Sequence, residues 1–416
     1  SHRAPAWGEQ PPESLADRNQ TILSHDEGRV IGMAQPLDIE SFHRARMLTR
    51  EVSDILREYH WYHNFELYEC LKNDSDHGLK GMAPVIPHAP GSSAEVFKGT
   101  IRNGSYNHHN QFTKFRDAYY YAWSNGLKNE EDAGQRILIS SSRDLRNWSA
   151  ASVAVGVAEG SQTARNCTAL TADRERLYLF VMTEETEHDA AAIGMRRIIP
   201  ESYSLSIYTS KDGVNWKESY SFGSELKWVF EAPRRTLGGK TICVCCTTRH
   251  GAGILRWRND NILTDPDIIP IPEPEGASFP YAETSWFQRS DDGVMVFFWR
   301  DEGGSTRMYV NTSTDDGQTF STPIISDIPD SMSRNYAGQL GDGRYYLVSN
   351  TLPNLLDRSL LTILTSRDGR VFDRVSVIND DPTAMRRKGL LKERGYQYPC
   401  CYSERDRLIV AYDRNK

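Results

Sequence analysis

Ser313-Thr314-Asp315-Asp316-Gly317-Gln318-Thr319-Phe320 has three looser copies in the same chain. They are Ser142-Arg143-Asp144-Leu145-Arg146-Asn147-Trp148, Ser210-Lys211-Asp212-Gly213-Val214-Asn215-Trp216 and Ser366-Arg367-Asp368-Gly369-Arg370-Val371-Phe372. Each copy follows a strand-like run: ILISSS, LSIYTS, MYVNTS or LTILTS. The pattern predicts a hairpin turn. Ser and Asp side chains bond local backbone N–H groups, Gly takes the positive φ, and the aromatic tucks beneath. A single Asp-Gly hairpin is common in any β protein, whereas four in phase form a repeat.

The spacing sets the phase. Asp315 and Asp368 lie 53 residues apart, and Asp212 and Asp315 lie 103 apart. The longer interval is two periods, with Arg258-Asn259-Asp260 where a degenerate copy belongs. Asp144 and Asp212 lie 68 apart, which is one period plus an insertion that we place at Glu184–Glu201. A period of about 50 with several short strands per unit is the signature of propeller blades. Five repeats read between Tyr106 and Phe372, and a sixth, Tyr396–Asp413, has two strands, PCCY and RLIVAY. A blade without its outer strands leaves an open edge unless N-terminal strands complete it.

The expectation is therefore an all-β, single-domain β-propeller over residues 1–416. Its N-terminal extension (1–100) closes the ring, and blade repeats fill 101–416. Six blades follow from the count, and seven if the N-terminal region supplies most of another. Within the extension, residues 1–20 read as extended or disordered and Gly28–Met33 as a short strand. DIESFHRARMLTREVSDILREY (38–59) reads as one amphipathic helix packed outside or at the base of the ring, and FELYECL (65–71) as a strand.

A net charge of −7 argues against nucleic-acid binding. No apolar run approaches a membrane span. The seven cysteines are Cys70, Cys167, Cys243, Cys245, Cys246, Cys400 and Cys401. Two clusters of them sit in apolar strand runs without a neighbouring His pair, so they read as buried thiols, with room for one bridge, rather than as metal or redox centres. Six Asn-x-Ser/Thr sequons, at Asn19, Asn73, Asn103, Asn147, Asn166 and Asn311, fit a secreted glycoprotein. The polar opening SHRAPAWGEQPPESLADRNQ lacks an apolar signal segment and reads as a trimmed end compatible with export. The expected state is a secreted monomer.

In a propeller, each inner strand starts near the central channel, and the loop after the second strand overhangs the same face. The inner-strand starts here are polar: Tyr106-Asn107-His108-His109-Asn110, Arg165-Asn166, Glu231, Tyr281-Ala282-Glu283, Arg334-Asn335 and Tyr396-Gln397-Tyr398. The overhanging loops add NGLKNEEDAGQR (125–136), Thr248-Arg249-His250, Arg300-Asp301-Glu302 and Asn350. Polar residues recurring at one position of every repeat point to a pocket rather than to packing. On a regular strand His108 and His109 point to opposite faces, so at most one reaches the channel. Arg165 and Arg334 read as carboxylate forks, with blade-to-blade salt bridges as the competing role. Arg136 reads either as a pocket residue or as a brace to Asp132. His250 sits in a Gly-flanked loop and reads as a site residue. Glu231 and Glu283 need buried partners, for which the arginines qualify.

Several arginines with His and Tyr around one pocket predict an anionic sugar. In β-elimination from a uronate, Arg neutralises the carboxylate and His or Tyr takes the C5 proton. In retaining sialidase chemistry, three arginines hold the carboxylate while a Tyr activated by a Glu attacks the anomeric carbon.

The four turns resemble the Asp-box of sialidase-like β-propellers, with the copy at 313–320 matching fully. NHHNQFTKFRDAYYYAWSNG, SRNYAGQLGDGRYYLVSN and GYQYPCCYSERDRLIVAYDRNK extend the resemblance to relatives that include polysaccharide lyases and α-L-rhamnosidases acting at rhamnose–glucuronate linkages. Those relatives are typically seven-bladed, which favours seven blades here. The resemblance implies a secreted carbohydrate-active enzyme on an acidic oligo- or polysaccharide, an exo-acting L-rhamnose–α-1,4-D-glucuronate lyase by preference. A rhamnosidase or exo-sialidase-type hydrolase is the alternative, and a non-catalytic glycan-binding propeller is a third. It implies His108 or His109, His250 and Tyr281 as acid/base groups. Arg136, Arg165 and Arg334 would hold the carboxylate, with His88, Asn166, Glu283, Arg300, Asn335 and Tyr398 also facing substrate. No cofactor is required, and a bound Ca²⁺ would be structural. The Arg-Ile-Pro motif of sialidases and an Asp acid in its usual early position are missing. The SSRDLRNW turn also resembles five-bladed furanosidases, whose Asp-bearing inner-strand starts are replaced here by Asn, Arg and Tyr.

Overall fold

Strand runs separated by the predicted turns fold into antiparallel sheets, each numbered outward from the channel. The computed structural model describes residues 45–71, 86–188, 196–198, 202–249 and 251–416. The chain divides into Ser1–Arg44 and Ala45–Lys416. The first unit, with the predicted strand at Gly28–Met33, lies outside the described residues.

Blade 1 orders β1 (Tyr106–Phe115), β2 (Ala118–Gly126), β3 (Arg136–Ser142) and β4 (Ser152–Val155) from inside to outside. Blade 2 follows with β5 (Thr163–Ala172) and β6 (Leu177–His188), whose far end also pairs β7 (Arg196–Ile198); β8 (Ser204–Ser210) and β9 (Lys217–Ser221) complete it. The extra arm of β6 and β7 falls in the insertion that the spacing placed at 184–201. Blade 3 comprises β10 (Leu226–Val229), β11 (Arg234–Arg235), β12 (Thr241–Thr247), β13 (Gly251–Trp257) and β14 (Asp267–Pro270). Blade 4 has β15 (Thr284–Gln288), β16 (Met295–Trp299), β17 (Arg307–Ser313) and β18 (Ile324–Pro329). Blade 5 has β19 (Tyr336–Gln339), β20 (Tyr345–Ser349), β21 (Leu361–Ser366) and β22 (Arg374–Asn379).

The described residues thus form five blades, not the seven or six expected. The sixth repeat is a two-stranded hairpin, β23 (Tyr396–Ser403) with β24 (Leu408–Arg414), lodged between β19 and β1. Among the described residues no N-terminal strand joins it. Ala45, Leu48 and His88 instead make isolated parallel bridges to Ser326, Phe372 and Val377, on the outer side of blades 4 and 5. Counting turns and strand pairs gave the hairpin the weight of a blade, but a sheet's width is set by long-range pairing that the repeat does not encode.

The helix also differs from its expected place. Residues 38–44 of the expected helix lie outside the described residues, and 45–49 form an extended strap whose Met47 and Leu48 N–H groups donate to the Asp327 carboxylate at 2.8 and 3.4 Å. Helix α1 (Arg50–Leu71) then runs through FELYECL, which was expected to be a strand. Thr49 caps it, accepting from Val52 N–H at 3.3 Å. Val52 and Leu56 enter a core shared with blades 4 and 5, and His63 pairs with Asp357 at 3.0 Å. No helix of the described residues is long and apolar enough to cross a membrane.

Cores lie between successive blades, so middle strands are covered on both faces and lose polar alternation. Every residue of TICVCCT in β12 and MVFFW in β16 is buried. The six cysteines whose side chains are described are all free and buried.

All four boxes close third-to-fourth-strand turns. Asp315 Oδ1 accepts from the N–H groups of Gln318 and Thr319 at 3.0 and 2.9 Å, while Gly317 N–H donates to Ser313 Oγ at 2.9 Å. Asp144, Asp212 and Asp368 repeat this scheme. In the box without glycine, Leu145 takes the left-handed conformation at φ 64°.

Candidate active site

Three inner-strand openings are bent toward the channel. β1 slips register between His108 and Gln111, with His109 at φ 56°. β23 slips between Gln397 and Cys400, with Tyr398 at φ 53°. Ala282, just before β15, is left-handed at φ 51°. Such residues re-aim side chains at a local energetic cost and concentrate at functional sites. Asn110 Nδ2 donates to Tyr398 C=O at 2.8 Å and ties two of these bends together.

Tyr398 lies at the centre of the constellation. Its hydroxyl donates to Glu283 Oε1 at 2.5 Å and accepts from Arg300 Nη1 at 2.9 Å. Arg300 also pairs directly with Glu283, and its Nη2 meets Glu302 at 2.5 Å. Arg358 approaches the Tyr398 ring at 5.5 Å and is held by Gln397 Oε1, Glu393 and Met332 C=O. Lys416 Nζ lies 5.6 Å from the same ring and 2.8 Å from Glu393.

Burial, reinforced by Glu283, pushes the Tyr398 hydroxyl well above the usual phenol range, against the opposing pull of Arg300 and Arg358. Burial also opposes charge on Arg300, but Glu283, Tyr398 and Glu302 hold it firmly protonated. Glu302 is raised by burial, partly offset by Arg300. Asp330, buried and within the field of Arg300 and Arg358, is pushed up to about 7 by desolvation. Tyr281 stands at the rim, 44% exposed, with its hydroxyl raised by burial and then by Glu302 and Glu283.

Other expected site residues go elsewhere. His88 pairs with Asp380 at 3.5 Å on the outer strand of blade 5. His250 lies outside the described residues. Arg136 donates to Asn125 Oδ1 at 3.1 Å rather than bracing Asp132, which holds Asn129. Arg165 donates to Tyr208 Oη at 2.7 Å. Asn166 accepts from Gln135 at 2.7 Å, and Asn335 donates to Phe298 C=O at 3.0 Å. Both asparagines tie one blade to the next. Arg334 is fully buried, within the fields of His108, Asp413 and Glu231.

His108 and His109 do not point apart. The bulge and the left-handed His109 bring their rings to one side, with centroids 4.4 Å apart. With Glu130 they form a buried cluster whose ligand atoms lie within 4.8 Å of one another and can chelate a metal ion. No motif marks this cluster in the sequence, because Glu130 comes from the loop after β2. Arg358, Glu393 and Lys416 were also missed. Arg358 in DRSL and the chain-terminal Lys416 carry no motif, and tertiary packing alone brings them to Tyr398.

Residues 118–410 match the model of the BNR repeat-like domain. The chain belongs to that family. This BNR repeat-like propeller resembles several solved structures. One is a sialidase, at 17% identity and TM-score 0.51, covering 78% of this chain and 31% of that one. Another is the leech intramolecular trans-sialidase complexed with 2,7-anhydro-Neu5Ac, at 12% identity and TM-score 0.57, covering 82% and 69%. A protein of unknown function from Dyadobacter fermentans matches at 15% identity and TM-score 0.58, covering 77% and 93%. No curated protein matches. The likeness is one of fold, of the sialidase type. These matches lend no support to the expected resemblance to rhamnose–glucuronate lyases and rhamnosidases.

Proposed function

We propose that this BNR repeat-like propeller is a carbohydrate-active enzyme, an exo-acting glycoside hydrolase that retains configuration at an acidic glycan terminus. The carrying observation is the Tyr398 hydroxyl held between Glu283 Oε1 at 2.5 Å and Arg300 Nη1 at 2.9 Å. Glu283 takes the phenolic proton as Tyr398 Oη bonds to the anomeric carbon, and Arg300 stabilises the developing phenolate. The leaving oxygen takes a proton from Glu302, whose raised affinity for protons suits a general acid. Water then attacks the glycosyl-tyrosine with Glu302 as base, and Tyr398 recovers its proton from Glu283. A neutral nucleophile avoids the repulsion a carboxylate would meet from an anionic sugar.

Arg300 and Arg358 each keep a buried Nε–H without a partner, and these are the donors proposed for the substrate's acid group. A sialoside is the first candidate, supported by the sialic-acid derivative bound in the leech protein. The hydrolase reading is supported by a tyrosine hydroxyl already bonded to a carboxylate, the nucleophile–base pairing that glycosyl transfer to tyrosine requires.

The test pairs a fluorogenic sialoside with a rhamnosyl-glucuronate oligosaccharide, following fluorescence and ultraviolet absorbance. Fluorophore release with retained configuration, lost in Tyr398→Phe, is the expected result. Rising absorbance from an unsaturated uronate would replace hydrolysis with elimination. Binding of either glycan without turnover would replace both with a glycan-binding propeller.

A further inference from the structure

We infer that His108, His109 and Glu130 form a three-ligand site for a divalent transition metal of the zinc class. This inference is independent of the hydrolase reading. His108 Nδ1 lies 2.6 Å from Asp413 Oδ2, and with Asp413 ionised the ring proton sits on Nδ1. That leaves the His108 Nε2 lone pair buried and without a partner. His109 Nδ1 lies 3.3 Å from Ser124 Oγ, which already accepts from Cys167 N–H at 2.9 Å. Ser124 Oγ in turn lies 3.5 Å from the acceptor Asn166 Oδ1. His109 Nε2 faces Glu130 Oε1 at 3.3 Å, so this ring has its two nitrogens between a hydroxyl and a carboxylate, and the tautomer protonated at Nδ1 frees Nε2 for a metal.

Two imidazoles and a carboxylate thus converge in a buried space, where a metal ion can take the place of the shared proton. Neighbouring donors of a tetrahedral site with bonds near 2 Å stand roughly 3.3 Å apart. The His109–Glu130 pair already has that spacing, and the whole set lies within 4.8 Å. Asp413 and Ser124 supply the outer-shell contacts that fix metal-binding tautomers. Two nitrogen donors and one oxygen suit zinc-like ions and are a poor match to Ca²⁺, which takes six to eight oxygens. Lys416 Nζ, 3.4 Å from Glu130 Oε2, is the resident competing cation, but it keeps Glu393 at 2.8 Å and Leu391 C=O at 2.9 Å when Glu130 turns to a metal. The His108 ring lies 4.0 Å from that of Tyr398, so the site forms part of the wall behind the candidate nucleophile.

The experiment is Zn²⁺ and Co²⁺ titration of chelator-treated, tag-free full-length chain. It is read by bound-metal analysis, the visible spectrum of the Co²⁺ form and the unfolding midpoint. One equivalent of metal, tetrahedral-type Co²⁺ absorption and a raised midpoint are expected. Glu130→Gln and His109→Gln should abolish the Co²⁺ bands, Asp413→Asn should weaken binding roughly 10–100-fold, and His88→Gln should change nothing. The midpoint of each metal-free variant shows whether it still folds. Failure of the parent chain to bind, or binding unaltered in folded Glu130→Gln and His109→Gln, would overturn the site.

Discussion

Two Arg–Glu pairs with buried carboxylates come from neighbouring blades, and their surroundings assign them different work. Arg234 meets Glu231 at 2.5 Å, lies 4.3 Å over the Trp286 ring and donates to Ala337 C=O at 2.9 Å. Glu231 also accepts from Ser285, whose Oγ receives Ala337 N–H at 2.8 Å. Those partners are backbone and hydroxyl groups of blades 4 and 5, so this pair acts as a clamp. Arg300 and Glu283 share their charge with a tyrosine hydroxyl instead, beside the half-exposed Tyr281. The same ion pair is structural when its remaining valences end on backbone, and poised for chemistry when they end on a transferable proton.

The sharpest break of that comparison is Tyr398→Phe, which removes a hydroxyl and leaves the ring packing. Turnover should fall roughly 10³-fold or more, with an unfolding curve close to the parent's. Glu283→Gln should lower kcat roughly 10²–10⁴-fold, measured under substrate saturation. At the clamp, Arg234→Met strands a buried carboxylate and should cost about 3 kcal/mol, read by urea unfolding, while turnover per folded molecule persists. Parent-like stability with lost turnover in that variant would merge the two roles.

The pH dependence separates them further. Burial raises Asp330 in the folded chain from 3.8 to about 7, so the folded state binds more protons than the unfolded one between those values. Its contribution to stability is therefore fully present below the unfolded value and is lost as pH rises toward 7. Asp330→Asn should flatten the fall in unfolding free energy between pH 4 and 7, measured beside the parent. The smallest effect is expected at the rim. Asp315→Ala removes a half-buried turn acceptor and should cost roughly 1 kcal/mol, without altering turnover.

Structure is legible in the sequence where the information is local. Ser-x-Asp turns, strand alternation and period depend on neighbours a few residues apart, so the boxes, the inner-strand starts and the insertion could be placed. Glu283, Arg300 and Tyr398 also stand out as polar residues at equivalent repeat positions. The partnership of Tyr398 with Glu283 spans 115 positions, which no local pattern carries. The opposite-face rule for His108 and His109 assumed a regular strand, and a bulge cancels that rule. The N-terminal helix was placed too early because Met47 and Leu48 carry helical spacing yet are drawn into a strap by Asp327.

Composition and repeat were sufficient to specify a sheet propeller with Asp-box turns, because hydrogen bonds within a turn and alternation along a strand are short-range. Blade number, the paths of Arg165 and His88, and the meeting of Tyr398 with Glu283 and Arg300 were decided by tertiary structure. Each depends on which distant strand edges and buried charges find one another, and a buried charge goes to whichever partner offsets its desolvation.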